Sequence, residues 1–343
     1  MKQQAWSRST WRLVLVAVLV VVPLAAGAQV IPSAQVLKRA VQEAHAKFKD
    51  VKDGAPADYI PELAKVPADL FGVAIITARG DVYTAGDVDY AFTIQSVSKP
   101  FVAGLVMQDY GSADVIREKI GVEPTGQKFN SLLATQILPQ VSANPLVNSG
   151  AIAATSLVKA NSASERFDRI MKFFEKLAGD KLSVIEDVYR SEAATNQRNR
   201  AHAYILFVND RIYSEPMEAV DVYTRQCSIG VTAKQLAVMG ATLANGGVNP
   251  ITGTRVLDTK YVPKILAVMM TAGFYNESGL WSFTAGLPAK TGVGGGIVAV
   301  VPGKMAIVGF SPRVNDAGNS VRAMKAIEYI SDELGVNLFG SGR

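Results

Sequence analysis

The ends of this chain constrain its fold more than its middle does. Residues 71–87, FGVAIITARGDVYTAGD, read as two β-strands turning at Arg79-Gly80-Asp81. Late in the chain, GGIVAVV, the turn PGK and MAIVGFSP read as a second hairpin. A helix is expected over 33–49, with Val36, Leu37, Ala40, Val41, Ala44 and Phe48 at helical spacing. Another is expected over 319–334, with Val321, Met324, Ile327, Ile330 and Leu334 on one side. Between the hairpins, roughly 112–270 has mostly helical spacing, broken by the loops EPTGQKF, SANPLVNSG and LANGGVNPITG. Strands at both ends and helices between them imply an α/β (α+β) fold. One largely antiparallel sheet, built from about 29–95 and 280–343 and flanked by helices, would carry an inserted helical part over about 96–279. The cleft between sheet and helices is the natural place for a site.

The first residues stand apart from that core. Lys2, Arg8 and Arg12 precede an apolar run from Leu13 to Leu24, and small residues follow to Ala26-Gly27-Ala28. A basic start, a short apolar stretch and an A-x-A site are a secretory signal peptide, with cleavage expected before Gln29. The mature domain is then 29–343, exported to the periplasm or the medium. Pro23 and the short run argue against a retained anchor, and no later stretch has the length to cross a bilayer. The whole chain carries 35 basic and 30 acidic residues, net +5. Loss of the leader removes three basic residues and leaves about +2. There is no polybasic patch, so nucleic acid is an unsuitable partner, and none is expected with membrane once the leader is gone.

Residue counts narrow the chemistry further. One cysteine, Cys227, forms no internal disulfide, and its apolar neighbours in QCSIGV suit a small buried hydrophobe. The two histidines, His45 and His202, are too few for a zinc site or for a triad with a G-x-S-x-G elbow, which is absent. No metal or organic cofactor is expected. Chemistry without histidine points to FTIQSVSKPF, residues 92–101, where Ser96 and Lys99 are three apart at the start of an expected helix running to Asp109 and stopping before Gly111. On a helix they share a face. The helix N-terminus favours an oxyanion at Ser96, and the same field plus burial would lower the Lys99 pKa until it can take the serine proton. Ser-x-x-Lys is short, and Ser156–Lys159 is a second match in this chain.

A second motif separates the two. LPAKTGVGGG holds Lys290-Thr291-Gly292 just before the closing hairpin. Serine penicillin-recognising enzymes pair S-x-x-K on a helix with K-T-G on a facing strand. The glycines would let backbone approach a ligand, and the Val293 N–H is a candidate second oxyanion donor.

Longer segments narrow the resemblance. ADYIPELAKV, FTIQSVSKPF, NPLVNSGAI, YTRQCSIGVTAKQLAVMGATLANGGVNPITG and GLPAKTGVGGGIVAVVPG together resemble the serine-dependent glutaminase family. That resemblance implies a serine β-lactamase-like fold and hydrolysis of L-glutamine to L-glutamate and ammonia. It implies Ser96 as nucleophile, Lys99 as its base, and Tyr275 as proton relay, with Tyr59 near the nucleophile. It implies substrate contacts at Gln95, Asn148, Glu192, Asn199, Tyr223 and the Val293 backbone, and a homodimer or homotetramer. Glu192 would accept from the substrate ammonium, while Asn148, Asn199 and Tyr223 would donate to its carboxylate. The chain departs from the family in its export signal, in RSEAATNQRNRAHAYIL around Glu192 and Asn199, and in Thr291 where serine is common. A penicillin-recognising hydrolase or D,D-peptidase, and a non-catalytic amino-acid sensor, remain as alternatives.

Overall fold

The computed structural model describes residues 31–137 and 143–340; the expected leader lies outside them. Strands β1 (Gly72–Thr77) and β2 (Val82–Gly86) form the first hairpin, and β7 (Gly296–Val301) and β8 (Met305–Phe310) the second. They join in one five-stranded antiparallel sheet of order β2-β1-β8-β7-β6, with β6 at Ala289–Thr291. The pairing of β1 with β8 runs from Gly72 opposite Phe310 to Thr77 opposite Met305, which welds the two ends of the chain.

Both faces of this sheet are covered, so its central strands are buried at every position and lack the polar alternation of a half-exposed sheet. Alternate residues still face opposite layers. Val73, Ile75, Ile297 and Ile307 pack with Leu37 and Val41 of the Ala34–Phe48 helix and Ile327 and Ile330 of the Val321–Glu333 helix. Ala74, Ile76, Val298, Ala306 and Val308 face the Ala233–Ala244 helix and the helical part beyond it. Gly240 on that helix allows the close approach: a Cβ there would lie 2.5 Å from Val298 Cγ2 and 2.7 Å from the Ala306 Cβ.

Three expectations need correction. The middle of the chain is not only helical. A three-stranded sheet of order β3-β5-β4 joins Phe92–Thr93, Ile229–Val231 and Ser183–Val184, and strands of two or three residues are too short to show a period. By contrast, Lys290-Thr291 of the K-T-G motif lies on a strand, as its comparison with strand-borne K-T-G motifs implied: it forms the edge strand β6, with Lys290 opposite Val298. The helix expected from Ser96 starts at Lys99 and runs to Tyr110, closed by Gly111 at φ 69°; Ser96 belongs to a 3-10 turn, Gln95–Ser98, ahead of it. The terminal helix begins at Val321 rather than 319, because Val314 and Ser320 pair across a β-bridge.

Candidate active site

The nucleophile candidate is held by short-range geometry. β3 leads into Ile94, whose N–H donates to Ile229 O at 2.8 Å. Gln95 follows at φ 48°, a left-handed conformation that is strained for a residue with a side chain and clusters at functional sites. The 3-10 turn then eclipses residues three apart, which sets Ser96 and Lys99 together without a regular α-helix. Pro100 falls in the first turn of the helix, where its missing N–H costs nothing. Ser98 Oγ accepts from Gln226 Nε2 at 2.8 Å, tying the turn to the Pro216–Cys227 helix.

The glycine-rich segment packs against this turn. A Cβ on Gly292 would lie 3.0 Å from Ile94 O, and one on Gly294 would lie 2.3 Å from Thr93 O. The glycines let the 292–294 backbone reach the nucleophile turn.

Lys99 is 1 % exposed, and its Nζ donates to Asn148 Oδ1 at 2.7 Å. Among the described residues no carboxylate is within ion-pair reach of it. Burial pulls its pKa down from 10.5 to about 7, with Cys227 and Glu192 opposing weakly. The cause is desolvation; the field of the helix terminus is not needed. A lysine in this state has a neutral fraction near neutral pH and can take a proton from Ser96.

Asn148 lines the cavity and is also tied to protein partners. Its Oδ1 accepts from Lys99 and, at 3.3 Å, from the Tyr223 hydroxyl, while its Nδ2 donates to Asn199 Oδ1 at 2.9 Å. Its side chain thereby orients Lys99, Tyr223 and Asn199, with one Nδ2 hydrogen left for a further acceptor. Glu192 and Asn199 come from consecutive helices, Glu186–Thr195 and Gln197–Val208. The residue between those helices, Asn196, donates to Thr224 Oγ1 at 3.1 Å, which fastens them. Glu192 is buried and accepts from Gln95 Nε2 at 3.2 Å. Burial raises its pKa to about 7, against the pull of Gln95 and Lys99.

Tyr275 stands over this group from the other side, at φ 56°. Its ring centroid is 5.5 Å from Lys99 Nζ and 4.0 Å from Lys290 Nζ. Burial raises its pKa, and the nearby Ser96 side chain pulls it back. No hydrogen bond of normal geometry reaches its hydroxyl among the described residues. Lys290 itself donates to Thr291 O at 2.7 Å and Gly273 O at 3.1 Å. Its role in the fold is to bind β6 to the turn that carries Tyr275.

A cavity of about 380 Å³ gathers Tyr59, Gln95, Ser96, Asn148, Glu192, Asn199 and Tyr223. Lys99 lies behind it through Asn148. Val293 lines an adjoining cleft of about 500 Å³ that shares Tyr59 and Phe129 with the first. Its N–H has no partner among the described residues. Tyr59 is half-exposed at the mouth, its ring 6.2 Å from that of Phe129, and makes no hydrogen bond to Ser96 or Lys99. It borders the cavity that Ser96 also lines. The sequence reading did not single out Phe129, Asn130 or Arg198, which also line both cavities. Arg198 adjoins Asn199 in the chain, so its neighbour was the available signal.

The discarded candidates have structural roles. Ser156 Oγ donates to Ala153 O at 2.7 Å and accepts from Tyr213 N–H at 3.0 Å, so the second Ser-x-x-Lys is spent on the backbone. Cys227 is buried and its thiol pKa is pushed up by that burial. His202 is buried beside Thr135, and His45 stacks on Phe71 at 5.0 Å.

The comparisons decide the family. The glutaminase family model matches residues 54–339. This chain belongs to the glutaminase family. It is 50 % identical over 307 residues to the glutaminase of Brucella canis (strain ATCC 23365 / NCTC 10854 / RM-666), covering 90 % of this chain and 96 % of that one. It is 47 % identical over 308 residues to the glutaminase of Colwellia psychrerythraea (strain 34H / ATCC BAA-681), covering 90 % and 99 %. Among solved structures, a probable glutaminase called ybaS superposes at TM-score 0.88 and 47 % identity, covering 90 % of this chain and 99 % of that one. The Bacillus subtilis probable glutaminase superposes at 0.80 and 30 %, covering 89 % and 97 %. The fold of this glutaminase-family chain is the serine β-lactamase-like fold of those neighbours.

Proposed function

We propose that this protein is an amidohydrolase that converts L-glutamine to L-glutamate and ammonia through a covalent γ-glutamyl ester on Ser96. The observation that carries the reading is the buried Lys99, shifted to about 7 and three residues from Ser96 in one tight turn. Neutral Lys99 takes the Ser96 proton as Oγ attacks the side-chain amide carbon. The N–H groups of Ser96 and Val293 receive the negative charge on the amide oxygen. Tyr275 passes the proton to the departing nitrogen, ammonia leaves, and water cleaves the ester with Lys99 again as base. Ionised Glu192 receives the substrate ammonium, and Gln95 and Asn199 border the same pocket. The charge-assisted bond favours Glu192 as an anion when substrate is bound.

The penicillin-recognising alternative and the sensor find no support. The family match is to glutaminases. The Thr291 hydroxyl that kept the β-lactam reading open is buried and lines neither cavity. The protein Mglu, 35 % identical, has been solved in a glutamate form, and glutamate is the product this mechanism expects. Purified residues 29–343 should release ammonia from glutamine and should not turn over a chromogenic β-lactam. The reverse pattern would remove the reading.

Export after cleavage before Gln29 and self-association as a dimer or tetramer are part of the proposal. Exposed Phe283, Val208 and Phe339 are apolar surface that self-association would cover. Cell fractionation with N-terminal sequencing and light scattering test these two points.

A further inference from the structure

A short loop outside the Ser96 cavity touches several parts of the machinery around it. Residues 315–319 close on themselves. Asn315 N–H donates to Asn319 O and Gly318 N–H to Asn315 O, both at 2.9 Å. Asn315 Oδ1 accepts from the N–H groups of Ala317 and Asn319, both at 3.0 Å. The loop is therefore a rigid unit before any outside contact is counted.

Its two side-chain amides converge on one carboxylate. Asn315 Nδ2 donates to Glu277 Oε1 at 3.2 Å and Oε2 at 3.0 Å, and Asn319 Nδ2 donates to Oε2 at 2.5 Å. Among the described residues, Glu277 has no ion pair; the two asparagines are its partners. Glu277 ends the 3-10 turn Tyr275–Glu277, two residues after the strained Tyr275. On the inner side, Ser278 Oγ donates to Tyr275 O at 2.9 Å and accepts from Phe274 N–H at 3.0 Å. On the outer side the turn is held by Glu277. The same loop reaches the oxyanion side: a Cβ on Gly318, at φ 83°, would lie 3.0 Å from Val293 Cγ1 and 3.7 Å from Phe129 Cε1. Phe129 in turn lies 5.5 Å from the Tyr275 ring.

The geometry points to Glu277, Asn315 and Asn319 as a positioning clamp that sets Tyr275 and Val293 relative to each other across Ser96. A tyrosine at positive φ keeps that conformation only where its surroundings hold it. Glu277 couples it to a loop that also seats Val293. None of the three residues needs to touch substrate. The clamp acts on the chemical step through Tyr275, and it rests on the proposed roles of Ser96, Tyr275 and Val293.

The test exchanges donor and acceptor. Asn319→Asp sets a second carboxylate against Glu277, and Glu277→Gln in the same chain restores one donor and one acceptor with their roles reversed. For Asn319→Asp we expect kcat for glutamine to fall by about tenfold or more, since small misplacements of a reacting group are costly. KM should stay within about twofold, because the substrate pocket is untouched. The double variant should recover most of the loss. Glu277→Gln alone keeps the shape and weakens both amide bonds. It is the fallback if Asn319→Asp does not fold, with an expected loss of about threefold or more in kcat. A lowered Tm with wild-type kcat, or a double variant no better than Asn319→Asp, would overturn the clamp. Ser96→Ala run beside them separates the two ideas. If it is inactive while the clamp variants turn over normally, the clamp fails and the nucleophile stands.

Discussion

The acid limb of the pH–rate profile is the sharpest consequence of the site. Two groups must be in defined states in the free enzyme. Lys99 must be neutral to take the Ser96 proton, and Glu192 must be ionised to receive the substrate ammonium. Burial lowers the first to about 7 and raises the second to about 7. The signs agree: as pH falls through these values, Lys99 gains the proton that disables it and Glu192 gains the proton that cancels its charge. Both losses fall on the acid side, so log kcat/KM should drop with a limiting slope of 2. Two units below the apparent values, each group is in its working state roughly 1 % of the time. The product is on the order of 10⁻⁴ of the plateau, against about 10⁻² for a single group. Each residue feels the other's charge, so the two apparent values belong to the pair. Glu192→Gln removes one titration: the slope should fall to 1 and KM should rise. The assay is ammonia release from glutamine across pH 5–9 at constant ionic strength. A wild-type slope of 1, or an unchanged slope in Glu192→Gln, would refute the two-group argument.

Other consequences can be checked on the same preparation. Ser156→Ala should leave kcat within about twofold and lower stability by about 1 kcal/mol, the net worth of its buried hydrogen bonds; a loss of activity matching Ser96→Ala would contradict the assignment. Lys99→Met should abolish turnover yet raise Tm at pH 7. A lysine pKa depressed by folding penalises the native state fully below about 7, and the penalty fades as pH rises toward 10.5. The gain in Tm should therefore shrink in alkaline buffer, and a Tm at or below wild type at pH 7 would count against it. Gly294→Ala should cut kcat by about tenfold or more, because its Cβ would meet Thr93 O at 2.3 Å beside the nucleophile turn; wild-type kinetics there would show that the turn yields.

Parts of this account were legible in the sequence for physical reasons, and parts were not. Strands six residues long, flanked by Gly and Pro turns, announced the sheet and its origin at both ends. Ser96 and Lys99 were picked out from their spacing and the later K-T-G, and Glu192 and Asn199 through the family resemblance; Ser96, Glu192 and Asn199 line one cavity, and Lys99 lies behind it through Asn148. Spacing alone did not separate Ser96–Lys99 from Ser156–Lys159, because the difference lies in what each side chain bonds. The three-stranded sheet escaped notice because two-residue strands carry no periodicity. The work of Asn148 depends on Lys99, Tyr223 and Asn199 converging from distant segments. Left-handed Gln95 and Tyr275 were also invisible, since neither residue type signals positive φ. The Glu277 clamp likewise joins positions about forty residues apart through side-chain amides that ordinary loop composition does not distinguish.

The central claim is a glutamyl ester on Ser96. Rapid acid quench of enzyme mixed with saturating glutamine, followed by intact mass and peptide mapping, tests it most directly. The account predicts one added glutamyl group located on Ser96, absent from Ser96→Ala, which also releases no ammonia. A glutamyl group on another residue, or continued hydrolysis by Ser96→Ala, would contradict it.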